Sequence, residues 1–208
     1  MNQNCHDTPE LILFDVDNVL CHYSRSIRLH YLAKVTGMDV QEIDDLIFGS
    51  GFDLKGDEGE YTVDEYFTKF RALLSNKATT KDWIEAPRVS MPPDNQMLDL
   101  VRSLKQTCQV AVLTNNGPAL HQSIDDLFPA ISEIFGGKVY FSYQFDTAKP
   151  DKGIYLKVAE RLNIAPNKVL FVDDLSVNTD GAQEAGMKAH HFQGIVGFRA
   201  ELQELGLL

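Results

Sequence analysis

The sequence is poor in cysteine, in tryptophan and in long apolar stretches. Its three cysteines, Cys5, Cys21 and Cys108, are odd in number and lie far apart, with no CxxC pair and no Cys/His zinc spacing. A disulfide framework is thereby disfavoured and a reducing compartment expected. The longest apolar runs, such as Leu11–Phe14 and Val169–Val172, fall far short of the roughly 20 residues of a membrane helix. The opening Met-Asn-Gln-Asn-Cys-His-Asp has neither the basic start nor the apolar stretch of a secretory signal. The expectation is a soluble, cytoplasmic protein with no membrane partner. Positive charge is scarce as well, 19 Lys and Arg against 30 Asp and Glu, a net charge of −11. Phosphate backbones are bound by clustered basic residues, so nucleic acid is disfavoured as a partner. A small phosphorylated ligand is not, because a few local donors and one cation can reverse the sign of a single pocket.

What is present reads as one α/β unit carrying an insertion. A chain of 208 residues buries roughly 70% of its unfolded surface and needs no staple. Three short apolar runs lead straight into polar residues: Leu11–Phe14 before Asp15, Val110–Leu113 before Thr114, and Val169–Val172 before Asp173. Runs of this kind predict parallel strands covered on both faces. Lys138–Phe145, β-branched and aromatic, predicts a fourth strand, and Lys188–Phe192 a fifth, with His190 and His191 at an edge. Helical spacing follows Asp94 (Met97, Leu100, Val101, Leu104) and runs over Gly153–Leu162, and a further helix closes at Gly186. The alternation predicts a doubly wound, Rossmann-like parallel sheet.

After the first strand about seventy residues pass without a strand pattern. Ile27–Val35 predicts a helix ending at Gly37, Val40–Phe48 another, and Thr62-Val-Asp-Glu65 a capping box opening a helix through Leu74. Residues 21–90 therefore read as a small all-helical cap, and residues 1–20 with 91–208 as the core. The acidic run Asp57-Glu58-Gly59-Glu60 reads as a solvated loop of that cap; Tyr23, Arg25 and Phe52 are its candidate substrate contacts.

Ligands of such sheets bind outside the carboxyl ends of the strands. There the sequence puts Asp15 and Asp17, then Thr114-Asn115-Asn116, then Lys149-Pro150, then Asp173-Asp174. Crowded carboxylates repel one another and call for a cation; oxygen donors without His or Cys suit Mg²⁺. A carboxylate can also attack phosphorus. Thr114 and the amides before Pro118 form an anion site at a helix start, and Lys149 adds a point charge.

These four motifs, in this order and strand context, resemble the haloacid-dehalogenase-like hydrolase superfamily. The resemblance implies a nucleophile and metal ligand at Asp15, and at Asp17 a general acid/base that also contacts the metal through its backbone carbonyl. It implies phosphate contacts at Thr114, Asn115 and Lys149, and a metal-binding acid at Asp174 with Mg²⁺ as cofactor. Asp173 and Asn178 are supporting candidates. The implied activity is hydrolysis of a small phosphorylated metabolite through an aspartyl-phosphate. Gly56–Thr62, Glu65, Tyr140–Ser142 and Phe171–Asn178 resemble the helical-cap branch of sugar-phosphate phosphatases, such as those acting on α-glucose-1-phosphate. A 2-haloacid dehalogenase is the alternative, although that chemistry needs no acid at position 17. A catalytically degenerate relative is another, because Asn18 stands where the family has glycine. Asn tolerates the left-handed backbone, so the loop is expected to keep its shape.

Overall fold

The computed structural model describes residues 8–208; Cys5 and the N-terminal stretch discussed above lie outside them. Five strands, all parallel, form one sheet in the order β3-β2-β1-β4-β5. They are β1 Leu11–Phe14, β2 Gln109–Thr114, β3 Val139–Phe141, β4 Val169–Asp173 and β5 Lys188–His191. β1 lies at the centre and is buried throughout. His190 and His191 are on the edge strand β5, as expected.

Between β1 and β2 come α1 Arg25–Thr36, α2 Val40–Asp44, a π turn Asp45–Gly49, α3 Phe52–Asp57, α4 Val63–Leu73 and α5 Thr80–Ser90. α1 ends where Gly37 takes φ 68° and returns its N–H to Ala33. The capping box of α4 is formed: Glu65 N donates to Thr62 Oγ1 at 3.3 Å, and Thr62 N to Glu65 Oε2 at 2.9 Å. Thr79 and Asp82 repeat it at the head of α5. The interior is aromatic, with Phe52 stacked on Tyr66 at 4.6 Å and both Tyr66 and Phe67 edge-on to Trp83.

The rest of the chain covers the sheet on both faces. Ile12, Phe14, Val110, Val112, Leu170 and Val172 face α6 Asn95–Leu104, α8 Pro129–Phe135 and α11 Ile195–Glu204; the helical insertion joins this cluster. Leu11, Leu13, Ala111, Leu113, Val169 and Phe171 face α9 Lys152–Arg161 and α10 Ser176–Glu184. The sheet is doubly wound. α7 Pro118–Leu127 follows β2 after three residues.

One predicted element is shorter than expected. Of Lys138–Phe145, only Val139–Phe141 pairs with β2, and Ser142–Phe145 forms a 3-10 turn. Gln144 Oε1 accepts the Phe141 N–H at 3.0 Å, and Ser142 Oγ donates to the Asp57 carbonyl at 2.6 Å. A side chain thus takes the N–H of the last strand residue, and the chain leaves the sheet there.

Candidate active site

Parallel register brings the strand-end residues together. Phe14 is level with Val112 on one side and Val172 on the other, and Asp15 N donates to Val172 O at 2.9 Å. Asp15 and Asp173 therefore leave adjacent strands side by side. Lys149 Nζ lies between them, 2.8 Å from Asp15 Oδ1 and 2.7 Å from Asp173 Oδ2. All three side chains are buried, none more than 8% exposed. Burial pushes the Asp15 carboxyl well above the usual carboxylate range; Lys149 opposes this, while Asp173 and Asp17 add to it. Burial would also lower the Lys149 pKa, but Asp15 and Asp173 outweigh it and raise it instead.

Asp173 is fully engaged. Asn178 Nδ2 reaches both of its oxygens at 3.0 Å, Leu175 N donates to Oδ1 at 2.9 Å, and Lys149 takes Oδ2. Asn178 in turn accepts the Tyr155 hydroxyl at its carbonyl, 2.6 Å away. Both supporting candidates thus act on Lys149. Asn115 does as well: it accepts the Lys149 N–H at 2.9 Å and donates to the Lys149 carbonyl at 2.8 Å. Expected as a phosphate contact, Asn115 has its side chain committed to fixing the Lys149 backbone. Thr114 is buried, its hydroxyl accepting from Asn116 Nδ2 at 2.8 Å.

Asp17 follows one turn of loop later. Burial drives its carboxyl up to about 6, against the pull of Lys149 and Arg28. Its Oδ1 is buried without a hydrogen-bond partner among the described residues. Asn18 adopts φ 58°, the left-handed backbone expected of it.

Asp15, Asp173 and Asp174 each present a carboxylate oxygen within 4.8 Å of the other two. The Asp17 side chain is not in this group, its expected metal contact being the backbone carbonyl; Asp173, read only as a neighbour, is in it. Because the Asp173 oxygens already accept four hydrogen bonds from three donors, Asp15 and Asp174 are the acids with capacity left. The set is oxygen-only, mutually repelling, and has an unsatisfied Asp17 oxygen beside it, which fits a hard divalent cation.

The opposite wall comes from the insertion, and here sequence reasoning missed residues. Arg28 of α1 lies 3.7 Å from Asp53 Oδ1, which also accepts the Tyr66 hydroxyl at 3.2 Å. Glu58 and Glu60 are exposed, as expected of a solvated loop, but Asp57 is not. It turns inward and accepts the Gly117 N–H, and burial together with Asp53 pushes its carboxyl well up. The contact is close: a Cβ on Gly117 would stand 2.6 Å from the Gly56 carbonyl oxygen. Gly56 itself is pressed against the Tyr66 ring, where a Cβ would meet it at 2.8 Å. The Gly-Asp-Glu-Gly pattern was the available signal. Of the expected contacts, Phe52 belongs to the aromatic stack, and Arg25 pairs with Asp44 at 2.6 Å and covers Phe48. Tyr23 hydrogen-bonds Arg28 at the seam.

Between the two walls, Arg28, Asp53, Asp57, Trp83, Asn116 and Gly117 line a cavity of about 20 Å³, room for one water. A broader cleft of about 1210 Å³ opens beyond Lys149-Pro150, but Glu58, Glu60, Asp151, Asp180 and Glu184 line it, and the Lys149 ammonium is turned away from it into its two ion pairs.

The chain resembles known proteins over most of its length. It is 25% identical over 198 residues to a phosphatase of Mycobacterium tuberculosis, covering 86% of this chain and 85% of that one. Over 97 residues it is 31% identical to a phosphorylated carbohydrates phosphatase of Thermotoga maritima, covering 47% and 43%. Its fold matches a haloacid dehalogenase family enzyme of Bacteroides thetaiotaomicron, solved in complex with magnesium and inorganic phosphate. That match has a TM-score of 0.76 and 24% identity, and covers 88% of this chain and 93% of that one. Residues 9–186 match the family described as haloacid dehalogenase-like hydrolase. The chain belongs to the haloacid dehalogenase-like hydrolase family.

Proposed function

We propose that the protein is a Mg²⁺-dependent phosphatase acting on a small phosphorylated metabolite. The observation that carries this reading is the Lys149 ammonium held by two buried carboxylates, Asp15 and Asp173, at 2.8 and 2.7 Å, beside two further acids. The curated phosphatase relatives support it, as does the neighbour solved with magnesium and phosphate. A sugar phosphate is the substrate class we favour, from the carbohydrate-phosphatase relative and the motif pattern of the insertion. Residues 21–90 then act as a cap over a core of residues 1–20 and 91–208.

Asp15 and Asp174, with Asp17, would hold Mg²⁺, which neutralises phosphoryl charge when bound. Lys149 and the Thr114 hydroxyl receive the phosphoryl oxygens from the core side, the Lys149 backbone being clasped by Asn115. Asp15 attacks phosphorus as the bond to the leaving oxygen breaks, and Asp17 gives that oxygen its proton. Its carboxyl, lifted to about 6, is suited to carry a proton near neutral pH. Water then attacks the acyl phosphate with Asp17 taking the proton, and phosphate leaves with Asp15 restored. The cavity of about 20 Å³ where the insertion meets Asn116 and Gly117 is too small for a sugar phosphate, so this reading has the cap part from the core to admit substrate. Asp17 argues against a dehalogenase, whose chemistry has no use for it. The test is phosphate release across sugar phosphates, nucleotides and phosphorylated acids, with a 2-haloacid panel beside it; halide release without phosphate release would overturn the reading.

A further inference from the structure

Two buried side-chain atoms lack a hydrogen-bond partner among the described residues: the acceptor Asp17 Oδ1 and the donor Arg28 Nε. They belong to opposite walls of one site. Arg28 is only 11% exposed, reaches the cavity together with Gly117 and Asn116, and its charge acts on Asp17. A buried guanidinium normally has its donors occupied, because an unpaired one loses hydration without return. Here Asp53 holds one terminal nitrogen loosely at 3.7 Å and Tyr23 bonds the head, yet Nε–H remains free.

We infer that Arg28 is a specificity-determining residue, whose Nε–H receives an oxygen of the substrate's leaving group, and that this oxygen is a neutral hydroxyl. The inference rests on the phosphatase reading above. Lys149 and Thr114 approach the phosphoryl group from the core, and Asp17 meets the leaving oxygen, so whatever lies beyond that oxygen faces the cap. Arg28 is the cation on that wall beside Asp53 and Asp57. An anionic leaving group would gain Arg28 but meet both acids, whereas a hydroxyl accepts from Arg28 and donates to a carboxylate. Phe48, 5.5 Å from the guanidinium, limits where its head can swing.

The test compares esters that differ only in the leaving alcohol: glycerol 1-phosphate, n-propyl phosphate and 2-phosphoglycolate. The wild-type enzyme should favour glycerol 1-phosphate over n-propyl phosphate by about tenfold or more in kcat/KM, the value of one hydrogen bond to a charged group. It should also favour it over 2-phosphoglycolate. In Arg28→Lys the charge beside Asp53 and Asp17 is kept and the Nε–H is lost, so the glycerol-to-propyl ratio should fall towards one, mainly through KM. Arg28→Gln serves if the lysine variant does not fold, and the wild-type ratio stands without either. A wild-type ratio near one, or an unchanged ratio in a folded variant, overturns the inference while phosphate release still supports the phosphatase. Preference for 2-phosphoglycolate overturns the neutral hydroxyl. No turnover of any phosphate ester would instead remove the phosphatase reading itself.

Discussion

Asn18 donates its side-chain amide to Asp174 Oδ2 at 2.9 Å, and its Oδ1 accepts the Tyr23 N–H at 3.0 Å. One residue, standing at φ 58°, thus ties the first strand's loop to an acid after the fourth and to the start of the insertion. Asn18→Gly removes the tethers but relieves the backbone. Asn18→Ala removes the same tethers and keeps a left-handed residue, which costs about 1 kcal/mol. Urea unfolding should rank the glycine variant above the alanine variant by about that amount, with wild type also above the alanine variant. Equal stability of the two variants would contradict the backbone reading.

Lys149 is the counter-charge of two buried acids, so its loss leaves both uncompensated. Breaking a buried pair from one side typically costs about 3–5 kcal/mol, and Lys149→Met should fall in that range in equilibrium unfolding at neutral pH. Adding Asp173→Asn should recover part of the loss by removing one stranded charge. A double variant no more stable than Lys149→Met would show that Asp173 is not its partner in solution.

The two leading aspartates should separate by leaving group. Asp15→Asn should abolish turnover of every ester. Asp17→Asn should cost about 10²–10⁴-fold on alkyl phosphates, the usual contribution of general acid catalysis, and much less on p-nitrophenyl phosphate. Equal loss on both would count against a proton-donor role.

On the proposed function, residues 21–90 close over the core at the seam between Gly56 and Gly117. Gly117 has φ −88°, so alanine suits its backbone and only the contact with the Gly56 carbonyl is disturbed. Gly117→Ala should hold the cap ajar: the melting temperature should move little, while kcat/KM falls and amides of residues 52–60 exchange faster. Unchanged exchange there would mean that the seam does not close the site.

The fold was legible because strands buried on both faces show as continuous apolar runs, and the candidate acids Asp15 and Asp173 follow those runs directly. Capping residues marked Gly37 and Thr62 for the same local reason. The strand after Lys138 was overextended, since nothing local reveals that Gln144 takes the Phe141 N–H. Asn115 was matched to phosphate because the motif places it there; only tertiary structure shows its side chain on Lys149. Arg28 and Asp57 were missed for a similar reason. Their burial arises where insertion and core meet, and an acidic run reads as solvated until Gly117 is seen against it.

The most direct measurement is phosphate release from a sugar phosphate by chelator-stripped enzyme, before and after Mg²⁺ is added back, with Asp15→Asn alongside. The account predicts no turnover without metal, recovery with Mg²⁺, and none in the variant under either condition. Full phosphatase activity in excess EDTA, or an active Asp15→Asn enzyme, would contradict it.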